Sequence, residues 1–112
     1  RDFMLSEAET ISQLSVNMLK LHQLQIVKGS LFATEYAQHP DNFSLWTADD
    51  YIDFCIDFIE RLNPEIVVER FVSQAPRDLV VAPFWNIKNF EFVHKLERRM
   101  VERNAHQGRL IN

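Results

Sequence analysis

Between Glu65 and Pro83 the chain passes from an apolar, β-branched run into a polar turn. The run is Ile66-Val67-Val68, followed by Glu69, Arg70, Phe71 and Val72; the turn is Ser73-Gln74-Ala75-Pro76-Arg77-Asp78. β-Branched side chains lose rotamer freedom in a helix and pack well on a pleated surface. Ile66 to Val72 therefore reads as a buried strand. An amphipathic helix precedes it. Thr47 and Asp50 form its N-terminal cap, Tyr51, Ile52, Cys55, Phe58, Ile59 and Leu62 trace one apolar face, and Asn63-Pro64 stops it. A helix followed by a buried strand that opens into a polar loop belongs to α/β folds. Such folds place their chemistry in the loops after the strands.

Upstream, Leu19 to Val27 reads as a second strand. Leu19, Leu21, Gln23 and Gln25 share one face, and Lys20, His22, Leu24 and Ile26 the other. Neither face is purely polar, which implies burial on both sides. Lys28-Gly29-Ser30 turns the chain into a short helix, Leu31 to Gln38, ended near Pro40. Ser6 and Glu9 form a capping-box signature, so the first helix is expected from about Glu7 to Val16, with Asn17 as its stop. Leu79 to Ala82 is a third, short strand. Asn86 or Asn89 opens the last helix, through about Asn104, with Phe90, Val93, Leu96 and Met100 as its core face. Strands separated by helices pair in parallel through right-handed crossovers. The expected fold is α/β, two or three parallel strands with flanking helices. A closed eight-stranded barrel takes about 250 residues; a single domain of 112 residues holds only part of one.

Composition narrows the function classes. The net charge of −4 argues against general nucleic-acid affinity of the whole chain. One cysteine forbids a disulfide framework and fits a reducing, cytoplasmic location. Two glycines leave no phosphate-binding loop. No apolar run approaches the roughly 18 residues of a membrane span. The opening Arg1-Asp2-Phe3-Met4 has neither a signal-peptide core nor an initiator methionine, which points to a segment of a longer protein.

Three stretches carry a resemblance. They are Leu21-His22-Gln23-Leu24-Gln25-Ile26-Val27-Lys28-Gly29-Ser30, Glu69-Arg70-Phe71 through Ala75-Pro76-Arg77-Asp78, and Trp85 and Lys88 onward to Gln107-Gly108. In their order and spacing they resemble the end of the catalytic barrel in radical S-adenosylmethionine (SAM) proteins of the YhcC-like group, related to the Elongator catalytic subunit. The resemblance implies the C-terminal portion of a TIM-type barrel. It also implies a parent enzyme, an oxidoreductase in which three cysteines hold a four-iron four-sulfur cluster. The cluster cleaves SAM reductively, and the resulting radical abstracts hydrogen from a substrate. Cys55 is the only cysteine here, so this segment alone is expected to bind no cluster and to be inactive. Its expected partners are the rest of the parent barrel, tRNA or another RNA, and a second copy of itself.

The candidate residues each have two readings. His22, Gln23 and Gln25 face a barrel interior near the cofactor, or lie on an edge strand with one wet face. Gly29 and Ser30 let backbone approach a ligand, or form a plain turn. Arg70, a cation in an apolar strand, meets a ligand carboxylate or a protein acid. Ser73, Gln74, Arg77 and Asp78 close the active mouth, or form a solvated turn. Lys95, Arg98, Arg99 and Arg103 make a basic stripe on the last helix, for an RNA backbone or for intrahelical ion pairs. Cys55 reads as a core thiol. His39, His94 and His106 lack metal spacing, and Asp49, Asp50, Asp53 and Asp57 read as a helix start and its wet face. The alternatives to a radical enzyme are a non-catalytic interaction or RNA-binding module and a stand-alone α/β regulatory module.

Overall fold

A computed structural model describes residues 2–72 and 77–111, Arg77 by its backbone only. Among the described residues four helices, α1 (Asp2–Ser12), α2 (Leu31–Gln38), α3 (Ala48–Glu60) and α4 (Asn89–Arg103), and four short strands, β1 (Met18–Lys20), β2 (Ile26–Val27), β3 (Val67–Arg70) and β4 (Val80–Ala82), follow in the order α1, β1, β2, α2, α3, β3, β4, α4. The α3 cap is the one the sequence announces; α2 is capped by Ser30, read from the sequence only as part of a turn. Ser30 Oγ accepts from the Ala33 amide at 3.2 Å, and Thr47 Oγ1 from the Asp50 amide at 3.1 Å.

β1 and β3 pair in parallel, Met18 opposite Val67 and Lys20 opposite Arg70. The expected parallel pair is therefore present. The third strand runs differently: β4 is antiparallel to β2, with Ile26 opposite Ala82. The expected continuous strand from Leu19 to Val27 is two strands. The first ladder shifts register between Leu19 and Lys20 and its strand ends at Lys20, and the second ladder has another partner running the other way. Residues 21–25 bridge the two sheets.

α1 starts and stops earlier than the capping box suggests. Ser6 lies inside the helix and its hydroxyl donates to the Phe3 carbonyl at 2.6 Å, the local back-bonding that serine uses within helices. Bonds from Gln13 to Thr10 and from Leu14 to Ile11 close the last turn.

α1, α3 and α4 cover one face of the parallel pair. Tyr51, Ile52, Phe54, Cys55, Ile56, Phe58 and Ile59 of α3 form the centre of the core, with Ala8, Leu62, Ile66, Val72, Phe92 and Leu96 around them. Leu19, Leu21 and Val68 pack against this cluster. Of the expected core face of α4, Leu96 is buried and Met100 packs against the core. Phe90, however, is 69% exposed, and Phe92 takes its buried place. The tail then folds back over the end of α3. Gln107 Nε2 donates to the carbonyls of Asn63 (2.8 Å) and Ile66 (2.7 Å). Gly108, at φ +83°, sits where a Cβ would fall 2.8 Å from Pro64 Cδ. The Gln107-Gly108 pair is thus accounted for by packing.

Candidate functional site at the strand ends

The C-terminal ends of β1 and β3 lie together. The Leu21 amide donates to the Arg70 carbonyl at 2.7 Å, continuing the ladder by one bond. This brings the chain leaving β1, His22 and Gln23, to the end of β3 at Arg70, where Phe71 leaves the strand. Gln23 is buried at 8% exposure, whereas His22 and Arg70 are exposed. Arg70, at the last position of its strand, needs no protein acid to sustain it there. Gln25 is half-buried and leads into β2.

A second group forms at the other junction. The Lys28 amide donates to the Leu79 carbonyl at 2.8 Å, so Gly29 and Ser30 lie near the short 3₁₀ turn Arg77–Leu79 that carries Asp78. Gly29 adopts φ +83° with open space where a side chain would be. Ser30 caps α2, and Asp78 is exposed. The ten candidates thus fall into these two groups, except Ser73 and Gln74, which lie outside the described residues. The Arg77 side chain lies outside them too.

The face of the parallel pair away from the helices is open. Met18 and Val67 are 54% and 57% exposed on it. Lys20 Nζ and Glu69 Oε2 lie 3.8 Å apart across the strands, each about half exposed. Sequence reasoning passed over Lys20 and Glu69. Lys20 shares a face with His22, two residues on, by strand alternation, whereas Glu69 is placed by its pairing with Lys20 across the strands.

The basic stripe of α4 divides. Arg99 binds Asp53 at 2.8 Å and Asp49 at 3.4 Å, and Arg103 binds Asp57 at 2.6 Å and Glu60 at 3.3 Å. These partners lie on α3, so the pairs are mainly interhelical; Arg99 to Glu102, at 3.7 Å, is intrahelical. The hydrogen bond to Asp53 raises the Arg99 pKa, and that to Asp57 raises Arg103. Lys95 and Arg98 remain exposed, Arg98 within 3.5 Å of His94 Nε2.

Cys55 is fully buried, and burial pushes its thiol up to about 12, although a hydrogen bond with Tyr51 lowers it in part. Among the described residues no three His, Cys, Asp or Glu side chains converge as metal ligands. This donor set does not fit an iron–sulfur cluster. The first strand-end group brings one buried residue, Gln23, and two exposed ones, His22 and Arg70, to the same end of the parallel pair.

The Radical_SAM C-terminal domain family matches residues 16–102. The chain belongs to this family. This radical SAM C-terminal domain is 28% identical to the uncharacterized protein YtqA of Bacillus subtilis (strain 168), over 99% of the chain and 34% of YtqA. It is 29% identical to protein YhcC of Escherichia coli (strain K12), over 88% of the chain and 31% of YhcC. An uncharacterized protein of Methanocaldococcus jannaschii is 24% identical over 94% of the chain and 32% of its own length. The chain spans about a third of the length of these relatives. The family places the chain in a radical SAM context.

Proposed function

We propose that this domain forms the C-terminal wall of a radical SAM enzyme, its β1/β3 pair completing a TIM-type barrel supplied by the rest of the protein. The parallel pair with its uncovered face carries the reading. In a barrel, one face of each strand meets the outer helices and the other lines the interior, and the chemistry sits at the strand C-terminal ends. Here α1, α3 and α4 cover one face, and Met18, Lys20, Val67 and Glu69 stand on the other. SAM and the cluster, when bound, supply a radical that abstracts hydrogen from the substrate. The cluster belongs to the remainder of the protein. This chain's part is to bind and orient. Arg70 and His22 meet the anionic and polar groups of SAM or substrate, Gln23 and Gln25 support that edge, and Gly29, Ser30 and Asp78 flank it. The apolar core behind β3 excludes water from the reacting side.

The test is the full-length protein, reconstituted anaerobically with iron and sulfide, given SAM and a reductant. Release of 5′-deoxyadenosine is expected, and Arg70→Ala lowers it at least tenfold. A loaded cluster with no 5′-deoxyadenosine at any SAM concentration counts against the reading. As a substrate we propose RNA, contacted through Lys95 and Arg98, the α4 cations not engaged by α3. Filter binding of tRNA across a salt series checks this: affinity that falls with salt and is lost in Lys95→Glu supports it, and no binding at low salt ends it.

A further inference from the structure

We infer that Tyr51 is a positioning residue for Arg70, through a bond that ties the crossover helix to the exit of β3. The inference rests on the function proposed above. Tyr51 lies in the first turn of α3 and is 3% exposed. Its ring is boxed by Trp85 at 5.6 Å, Phe92 at 5.7 Å, and Trp46 and Phe54 at 6.4 Å between centroids. Trp46 and Trp85 are themselves linked, the Trp85 indole donating to the Trp46 carbonyl at 3.0 Å. A ring held on these sides has little freedom to swing. Its hydroxyl donates to the Phe71 carbonyl at 2.7 Å.

Phe71 follows Arg70 directly, and the Arg70 carbonyl accepts from Leu21. Two successive carbonyls are therefore bound in two different directions, one to β1 and one to α3. That fixes both peptide planes at the point where the chain leaves the sheet, and with them the direction from which the Arg70 side chain departs. Burial keeps the phenol protonated, so the donor is always present. An apolar contact could hold the helix against the strand equally well. A directional bond to one carbonyl sets an orientation as well.

The experiment is a double-mutant cycle on full-length protein, read as binding of S-adenosylhomocysteine by calorimetry, a probe that carries the SAM carboxylate without its reactivity. We expect Arg70→Ala to weaken binding about tenfold, Tyr51→Phe about fivefold, and the double variant no more than Arg70→Ala alone, because Tyr51 acts through Arg70. Wild-type binding with Tyr51→Phe unchanged, or losses that multiply in the double variant, overturns the positioning role and leaves the proposed function standing. Absent wild-type binding, or an Arg70→Ala variant that binds normally, removes both. Amide exchange on the wild-type protein checks the geometry without any variant. The Leu21 amide is protected like those of the β1 ladder; exchange at coil rates overturns the proposal.

Discussion

Cys55 and Tyr51 stand one turn apart on α3, both buried in the core. Burial raises both, the thiol from 9.0 to about 12 and the phenol further still. Both groups are neutral in the folded chain. Above pH 9 the unfolded chain releases the thiol proton and the folded chain does not, so the unfolded state binds fewer protons and stability falls as pH rises. Between pH 9 and 12 the slope from Cys55 is about 1.4 kcal/mol per pH unit. Tyr51 adds a similar slope above its ordinary value of 10.0. Urea unfolding at stepped pH measures this, and Cys55→Ala should remove the first component of the slope while leaving the second. A flat profile to pH 11 would show that neither group is sealed. That Cys55 is a core thiol was legible from its place on the apolar face. The phenol's bond to Phe71 was not, because sequence spacing carries no information on contacts twenty residues apart.

α3 and α4 are joined by a ladder of unlike charges that the sequence disguised as two wet faces. Asp49, Asp53, Asp57 and Glu60 climb one side of α3, and Arg99 and Arg103 climb α4 opposite them. Glu60 is the critical rung. Its side chain is 2% exposed and is held by Arg103 and by Arg109 from the tail. A buried carboxylate stripped of its cations is costly, whereas an apolar replacement of the whole set is tolerated. Replacing Arg103 and Arg109 together with Met should cost about 3–5 kcal/mol, and adding Glu60→Leu should return most of it. Urea denaturation of the three proteins decides. If the triple variant is no more stable than the double, the carboxylate is not the source of the loss. The start of α3 was readable from its capping side chain, Thr47, and that of α2 from the Lys28-Gly29-Ser30 turn before it. The limits of α1 were misread, where Ser6 bonds backward within the helix. The face of α4 was ambiguous because Phe90 and Phe92 offer two helical registers, and only docking on Tyr51 and Trp85 selects Phe92.

The whole chain is more open than its mass requires. Its Cα radius of gyration is 15.3 Å, against about 13 Å for a compact domain of this length. Its accessible surface is 7540 Å², against about 6,500 Å² for a compact monomer of 13.3 kDa. The difference is comparable with one side of a standard interface, about 800 Å². Leu31, Phe32, Phe84 and Phe90 are more than half exposed, as are Met18 and Val67 on the open sheet face. Alone in solution, the domain is expected to self-associate through these surfaces. Sedimentation velocity should give a coefficient that rises with concentration, lowered by Leu31→Lys with Phe84→Lys; a constant monomer value would count against it. The segments of β2, β3 and β4 were visible in their β-branched residues, whereas β1, Met18–Lys20, has none and was read as one strand with β2. Their pairing was not, since a two-residue strand such as β2 has too little pattern to declare a direction.

The register of Met18 against Val67 joins residues roughly fifty positions apart. A ribosome adding about 5–20 residues per second delivers β3 some 2–10 s after β1. During that interval β1 has no partner of its own, and closing so long a loop gains nothing until α3 has formed and can dock. The nascent polypeptide is therefore most vulnerable to misassembly and chaperone capture in that window. Synonymous codons that slow elongation between Lys20 and Val67 would lengthen it.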